Sequence, residues 1–363
     1  MAGPDLAHGT DDDAAPHLPV RGCSARGPRR LGALGLLSAA GLALTGCGDQ
    51  HEPWFGGYVN VTSYPWFDFG AEAAGQSRTV LGFVVADPEE PCKPSWGGYY
   101  GLDEAEETLR MEKQIAVLRE AGGDVVVSFG GAAGNELATA CTDPDRVLAA
   151  YRTVLDRYDV RVVDFDIELD DLEDQEANER RAEVLLRLQE ERKEPLEIWA
   201  TLPVAPHGLD QDSVDVVALM LAAEVDLAGV NLMTMNYSES KPAGQSMAAA
   251  SMEAARSAHG QLTALWGAAG QDLSAEEVWH RIGLTPMIGV NDVPGEVVEL
   301  DAAAELGEFA RDQGVGRLSY WSLNRDRPCT AEDGDPAEAN DFCSGLEEEA
   351  GEFTRVLGEG FVG

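Results

Sequence analysis

From about Phe55 onward, short runs of β-branched and apolar residues alternate with longer segments of helical periodicity. That is the pattern of repeated βα units around a parallel sheet. The runs that read as strands are Tyr58–Thr62, Thr79–Val85, Asp124–Phe129, Val160–Ile167, Leu196–Leu202, Gly229–Met235, Thr285–Val290 and Arg317–Leu323. No long linker separates them, so the expected α/β architecture is one closed (β/α)8 barrel rather than two domains. The segments between carry apolar stripes: Met111, Ile115 and Leu118 stand at i, i+4 and i+7, and Val147, Tyr151, Val154 and Tyr158 follow a similar spacing. Positions at that period face a core, which makes Met111 and Tyr151 packing residues.

In such barrels the chemistry sits at the C-terminal ends of the strands. Asp87, Ser128, Glu168, Pro203, Asn236, Asn291 and Asn324 all fall at or just past a strand end. The fourth run is the most unusual. Between Val162 and Leu169 the side chains alternate, which puts Asp164, Asp166 and Glu168 on one face and Val163, Phe165 and Ile167 on the other. Both faces of a parallel strand are normally buried, so three adjacent carboxylates are costly unless they share protons, bind a cation or find hydrogen-bond donors. An acidic, solvent-washed edge strand and a magnesium or calcium site are the other readings of these residues. The chain shows no EF-hand-like loop to complete a cation site, and no metal or cofactor is expected.

The segment before the barrel changes the expected location. Residues 26–30 carry three arginines and precede an apolar run from Leu31 to Gly46 that is short for a bilayer span, the layout of an export signal. It ends in Leu44-Thr45-Gly46-Cys47, which resembles the bacterial lipoprotein signal. The resemblance implies lipidation of Cys47 and an extracellular protein anchored to the cell membrane, with simple secretion as the variant. Residues 1–46 are therefore set aside as targeting sequence, 47–54 as a short tether and 55–360 as the barrel. Past Cys47 there remain Cys92, Cys141, Cys329 and Cys343, an even number suited to disulfides in an oxidising compartment. Of three pairings, Cys92–Cys141 and Cys329–Cys343 are favoured because each ties loops at one end of the barrel. No Cys-x-x-Cys or Cys/His cluster suggests zinc.

Composition adds one exclusion. Acids outnumber bases by 65 to 26, for a formal charge of −39, and nucleic acid is not an expected partner of such a surface. Solubility, including solubility in concentrated salt, accounts for the charge.

The row Asp164-x-Asp166-x-Glu168 resembles the Asp-x-x-Asp-x-Asp-x-Glu signature of glycoside hydrolase family 18, the chitinase family. Ser128-Phe129-Gly130-Gly131 is similar to the family's third-strand Ser-x-Gly-Gly, Met233-Thr-Met-Asn-Tyr237 to its sixth-strand Met-x-Tyr-Asp, and Trp321 falls where the family keeps a tryptophan under the bound sugar. The likeness runs from about Phe55 to beyond Cys343. Two departures stand out: Arg161 and Val162 replace the signature's first Asp and the following Gly, and at the sixth strand Met235 and Asn236 replace Tyr and Asp.

What the resemblance implies is a hydrolase of β-1,4-linked N-acetylglucosamine polymers or oligomers. Glu168 would be the acid, and the substrate's own 2-acetamido group the nucleophile. Asp166 would orient that acetamido group, and Asp164 would sit behind it and share a proton with it. Substrate contacts are expected from Tyr58, Met233, Asn236, Tyr237 and Trp321, with Ser128, Gly130 and Gly131 shaping the floor. Trp96, with Tyr99 and Tyr100, is expected to build a further sugar subsite, whereas Trp266 and Trp279 lie in helical segments and are expected to pack. No separate chitin-binding module or Ser/Thr/Pro-rich linker is evident, which favours accessible oligosaccharides over dense crystalline chitin. Two other functions stay open at this point. One is a lectin-like, non-catalytic family 18 protein, kept alive by Asn236; the other is an endo-β-N-acetylglucosaminidase acting on peptidoglycan or N-glycans.

Overall fold

A computed structural model describes residues 52–72 and 76–361 of the chain. Cys47 and the segment expected to direct export lie outside the described residues. Eight parallel barrel strands follow one another in chain order. The first is broken in two, Trp54–Phe55 and Tyr58–Asn60. The others are Arg78–Ala86, Asp124–Gly130, Val162–Asp166, Glu197–Pro203, Leu227–Met233, Ile282–Thr285 and Arg317–Leu318.

The break in the first strand closes the ring. Trp54–Phe55 pairs with the eighth strand, and Tyr58–Asn60 pairs with the second. Gly56 marks the crossover, because a Cβ there would lie 1.9 Å from the Arg78 carbonyl oxygen, so only glycine allows that approach. Trp54, at the end of the expected tether, is thus already a barrel residue.

The β-branched runs form strands because both faces are buried, the inner face in the barrel and the outer face against the helices. Val163, Phe165 and Ile167 are wholly buried on the outer side of the fourth strand. There Phe165 stacks on Phe129 at 5.2 Å and meets Tyr151 edge-on at 5.2 Å. Tyr151 belongs to the helix Pro144–Tyr158, which starts with the Asp143 side chain accepting the N–H groups of Asp145 and Arg146. Both apolar stripes expected to face the core do so, with none of their residues more than 2% exposed.

The seventh strand is displaced from the expected run. It occupies Ile282–Thr285, not Thr285–Val290, because Pro286 has no N–H with which to continue the ladder. Gly289–Val290 turns away to pair antiparallel with Val297–Val298. The eighth strand keeps only Arg317–Leu318 in its ladder, although Trp321 N–H still reaches the Pro286 carbonyl at 2.9 Å.

Both expected disulfides are present, Cys92–Cys141 and Cys329–Cys343, with Cα separations of 4.9 and 5.0 Å. Among the described residues no helix is long and apolar enough to cross a membrane.

Candidate active site

The carboxylate row stands on the inner face of the fourth strand, and its members grow more accessible toward the rim. Asp164 is wholly buried, Asp166 is 5% exposed, and Glu168 is partly exposed at the mouth. Asp166 and Glu168 open into a pocket of about 280 Å³ lined also by Tyr58, Phe83, Met233, Asn236, Asp292 and Trp321.

Beneath the pocket, polar side chains from most strands meet in one layer around Asp164. Its Oδ2 accepts Tyr58 O–H at 2.8 Å and Ser128 O–H at 2.7 Å. Its Oδ1 accepts Thr201 O–H at 2.6 Å and the Arg317 guanidinium at 2.5 Å. Asn231 extends the layer by donating to Thr201 at 3.0 Å and accepting from Thr285 at 2.9 Å. Such a layer is stable inside a barrel because its donors and acceptors satisfy one another.

Asp166 is treated differently. Its Oδ1 is buried with no hydrogen-bond partner among the described residues. Burial, then the neighbouring Glu168, then Asp164 push its carboxyl well above the ordinary carboxylate range, and Arg317 opposes them. Burial and its acidic neighbours thus favour the protonated form of Asp166. Glu168 is raised from its ordinary 4.5 to about 7, chiefly by burial and then by the negative charge of Asp171. Asp171 sits one turn into the following helix and accepts the Glu136 backbone N–H at 2.8 Å. Glu136 is in turn held by Tyr151 O–H at 2.6 Å and Arg181 at 2.9 Å, all inside the fold. An acid near pH 7 can both give and take a proton under ordinary conditions.

Asp164 accepts four donors within the layer, and of the two carboxylates beside Asp166, Glu168 raises its carboxyl more than Asp164 does.

The floor is aromatic. Trp321 and Phe83 stack at 5.7 Å with an 18° angle between planes, and Tyr58 packs 6.1 Å from each. Gly130 lets the third strand approach the fourth. Its φ is +99°, and a Cβ there would sit 2.1 Å from the Asp166 carbonyl oxygen. Next to it, Gly131 donates its N–H to that same carbonyl at 2.9 Å. Ser128, Gly130 and Gly131 thus shape the site from below and behind.

At the opposite wall Asn236 faces the pocket with φ +53°, a conformation asparagine tolerates better than most residues. It donates to Asp292 Oδ2 at 2.8 Å, and Asp292 N–H returns to its Oδ1 at 3.1 Å.

Two expected sugar contacts are placed elsewhere. Tyr237 points inward: it is 4% exposed, and its hydroxyl donates to Ser251 at 3.1 Å. Its backbone N–H and that of Ser238 both go to the Glu296 carboxylate at 2.9 Å. Trp96 is wholly buried, and its indole N–H donates to Tyr158 at 3.0 Å. It therefore offers no face to a sugar, because the strand Pro94–Trp96 folds onto Arg78–Ala86 and turns the ring under the helix that ends at Tyr158. Tyr99 stays 75% exposed, away from the pocket-lining residues. Trp266 is buried in the core, and Trp279 stacks on His259 at 4.5 Å, so both pack as expected.

Of the other rim residues, Asp87 caps Glu89 and Glu90, Asn291 holds the Met287 and Gly289 carbonyls, and Asn324 is bound to Asn60. Arg317, Thr201, Asn231, Asp171 and Glu136 were not anticipated. The available signal was a single polar residue inside an otherwise apolar strand run, as at Asn231 and Thr201.

A (β/α)8 barrel with this carboxylate row at the mouth of its fourth strand and a tryptophan floor on its eighth resembles the catalytic domains of chitinases. No family model matches the chain. It is 35% identical over 282 residues to the probable bifunctional chitinase/lysozyme of Escherichia coli (strain K12), spanning 75% of this chain and 30% of that protein. It is 35% identical over 283 residues to endochitinase 11 of Metarhizium anisopliae, spanning 75% of this chain and 52% of that one. The chain thus matches between 30% and 52% of the length of these curated relatives. The solved catalytic domain of the hyperthermophilic chitinase from Pyrococcus furiosus superposes with a TM-score of 0.71 at 28% identity, covering 85% of this chain and 96% of that domain.

Proposed function

We propose that the protein is a glycoside hydrolase that cleaves β-1,4-linked N-acetylglucosamine chains with retention of configuration, using the substrate's acetamido group as nucleophile. The observation that carries this reading is the pair Glu168 and Asp166: an acid raised to about 7 at the pocket mouth, and beside it a buried carboxyl oxygen without a partner. An unsatisfied buried acceptor facing a pocket is suited to a ligand N–H.

Glu168 gives its proton to the glycosidic oxygen as the bond to the anomeric carbon breaks. The acetamido carbonyl oxygen attacks that carbon and forms an oxazolinium ion. Asp166 accepts the acetamido N–H, orients the carbonyl for attack, and turns its own O–H toward the Glu168 carboxylate. Glu168 then takes a proton from water, whose oxygen opens the ring. Trp321 supplies an apolar floor for the sugar, and Asn236, fixed by Asp292, supplies a polar wall.

The names of the relatives support chitin or another N-acetylglucosamine glycan as substrate, and the lysozyme in the Escherichia coli protein's name keeps peptidoglycan as a second reading. Glu168 and its open pocket favour turnover over binding alone. The discriminating experiment compares oligomers of N-acetylglucosamine with the same oligomers deacetylated. Cleavage of the acetylated series alone, with the β-anomer appearing first by proton NMR, is the expected result. Cleavage of both series, or an α-anomer first, would rule out acetamido participation.

We also infer that the protein is exported and anchored through Cys47. The Leu-Thr-Gly-Cys sequence and two disulfides support it. Detergent-phase partition of the expressed protein, lost in Cys47→Ala, is the check.

A further inference from the structure

Directly after Glu168 the backbone takes a conformation that leucine rarely adopts. Glu168 is extended, with φ −143° and ψ 167°, and Leu169, the first residue of the short helix Leu169–Glu173, has φ +54°. A branched side chain is crowded in that left-handed region. Leu169 is also 62% exposed, so no packing of its own side chain accounts for the turn. Strain of this kind persists only where the surrounding structure imposes it.

The helix is held from behind. Asp171 Oδ2 accepts the Glu136 backbone N–H at 2.8 Å, and the Leu172 carbonyl accepts the Asn178 amide N–H at 2.8 Å. Glu136 caps the helix Leu137–Ala140 after the third strand, and Asn178 lies in the helix Gln175–Glu191. One guanidinium grips both. Arg181 Nε donates to Glu136 Oε2 at 2.9 Å, and its Nη1 donates to Asn178 Oδ1. Arg181 and Glu136 are wholly buried, and Asn178 is 5% exposed. Glu136 is fixed further by Tyr151 O–H at 2.6 Å and the Ala138 N–H at 2.8 Å. The planar fork of arginine lets a single side chain serve partners in two directions. Arg181 is not among the residues that line the pocket.

We propose that Arg181 is a positioning residue for Glu168: through Glu136 and Asn178 it fixes the helix Leu169–Glu173, holds Leu169 in its left-handed turn, and so keeps the Glu168 carboxyl at the pocket mouth. Released from that hold, Leu169 returns to an ordinary negative φ, and Glu168 turns with it. Arg181 acts through the backbone and touches no sugar. The proposal rests on Glu168 acting as the acid.

A double-mutant cycle between Arg181 and Leu169 tests it. Lysine keeps a cation beside Glu136 but has no fork with which to reach Asn178 as well. Arg181→Lys should therefore lower kcat on N-acetylglucosamine oligomers by about tenfold, with KM within about twofold. Glycine takes positive φ as readily as negative, so in the Leu169→Gly background the same change should cost less than about threefold. The alkaline limb of kcat/KM follows the Glu168 proton. In Arg181→Lys it should move to lower pH, as the carboxyl gains water and returns toward its ordinary 4.5, and Leu169→Gly should reverse part of that shift. Asp166 and Asp171, the carboxyls that face Glu168, are present in every variant. Equal losses of kcat in the two backgrounds overturn the proposal, as does an alkaline limb that does not move.

If Arg181→Lys does not fold, Asn178→Ala removes only the arm to Leu172 and takes its place in the cycle, with the same directions expected. Carbon-13 NMR of the Glu168 carboxyl in the substrate-free protein reads its surroundings without turnover, which separates this proposal from the glycan reading. A Glu168 titration lowered by loss of the clamp and restored by Leu169→Gly supports the proposal even where no oligomer is cleaved. A titration unchanged from wild type overturns it even in an enzyme that cleaves them.

Discussion

Replacing Glu168 by Gln should stabilise the folded protein, and only at the alkaline side. Folding raises the Glu168 carboxyl from its ordinary 4.5 to about 7, so the folded state holds that proton more tightly than the unfolded chain does. The resulting contribution is complete below pH 4.5 and is lost as pH rises through 7. The shift of about 2.5 units corresponds to about 3 kcal/mol at about 1.36 kcal/mol per unit. Gln cannot ionise and escapes that loss. The variant should also relieve Asp166, whose carboxyl is raised in part by Glu168, and the two effects have the same sign. Relative to wild type, Glu168→Gln should gain about 3 kcal/mol between about pH 4 and pH 8.5, equivalent to a Tm gain of about 5–10 °C. Denaturant unfolding at both pH values, followed by tryptophan fluorescence, measures it. Parallel stability curves for the two proteins would refute the reasoning, because a carboxyl that titrates alike in both states cannot be held as a neutral acid.

Gly130→Ala should cost at least about 2 kcal/mol and depress kcat, since the added methyl meets the Asp166 carbonyl oxygen and φ is +99°; chemical unfolding and steady-state kinetics report both. Trp96→Phe should lower stability by about 1–2 kcal/mol through loss of the Tyr158 hydrogen bond and of buried volume. Its KM should not change, whereas Trp321→Ala should raise KM. Opening Cys92–Cys141, which spans 49 residues, should cost about 4 kcal/mol, against about 3 kcal/mol for Cys329–Cys343, which spans 14; the midpoints of the Cys→Ala pairs give the order.

The barrel was legible because its signal is repetitive. Valine-rich runs at strand length and helices with apolar stripes recur too often to be misread as a group, even though single boundaries slipped at Pro286 and at the broken first strand. The acids were legible because the period of two on a strand puts Asp164, Asp166 and Glu168 on one face whatever surrounds them. Contacts across the barrel were not. Arg317 lies 153 residues from Asp164, and the charge it supplies to the row has no local trace beyond one arginine at the head of a strand. Trp96 and Tyr237 show the converse: aromatic residues in a loop and beside a motif look like ligand contacts, but the direction of a side chain depends on the tertiary partner it finds. Tyr158 claims the first and Ser251 the second.

The most direct test of the account is mass spectrometry of N-acetylglucosamine oligomers, four to six sugars long, incubated with the wild-type protein and with Glu168→Gln. The account predicts shorter oligomers from the wild type and none from the variant, with both proteins binding the intact chains. Equal cleavage by the two proteins would contradict the assignment of Glu168 as the acid, and intact oligomers bound by both would contradict the hydrolase itself.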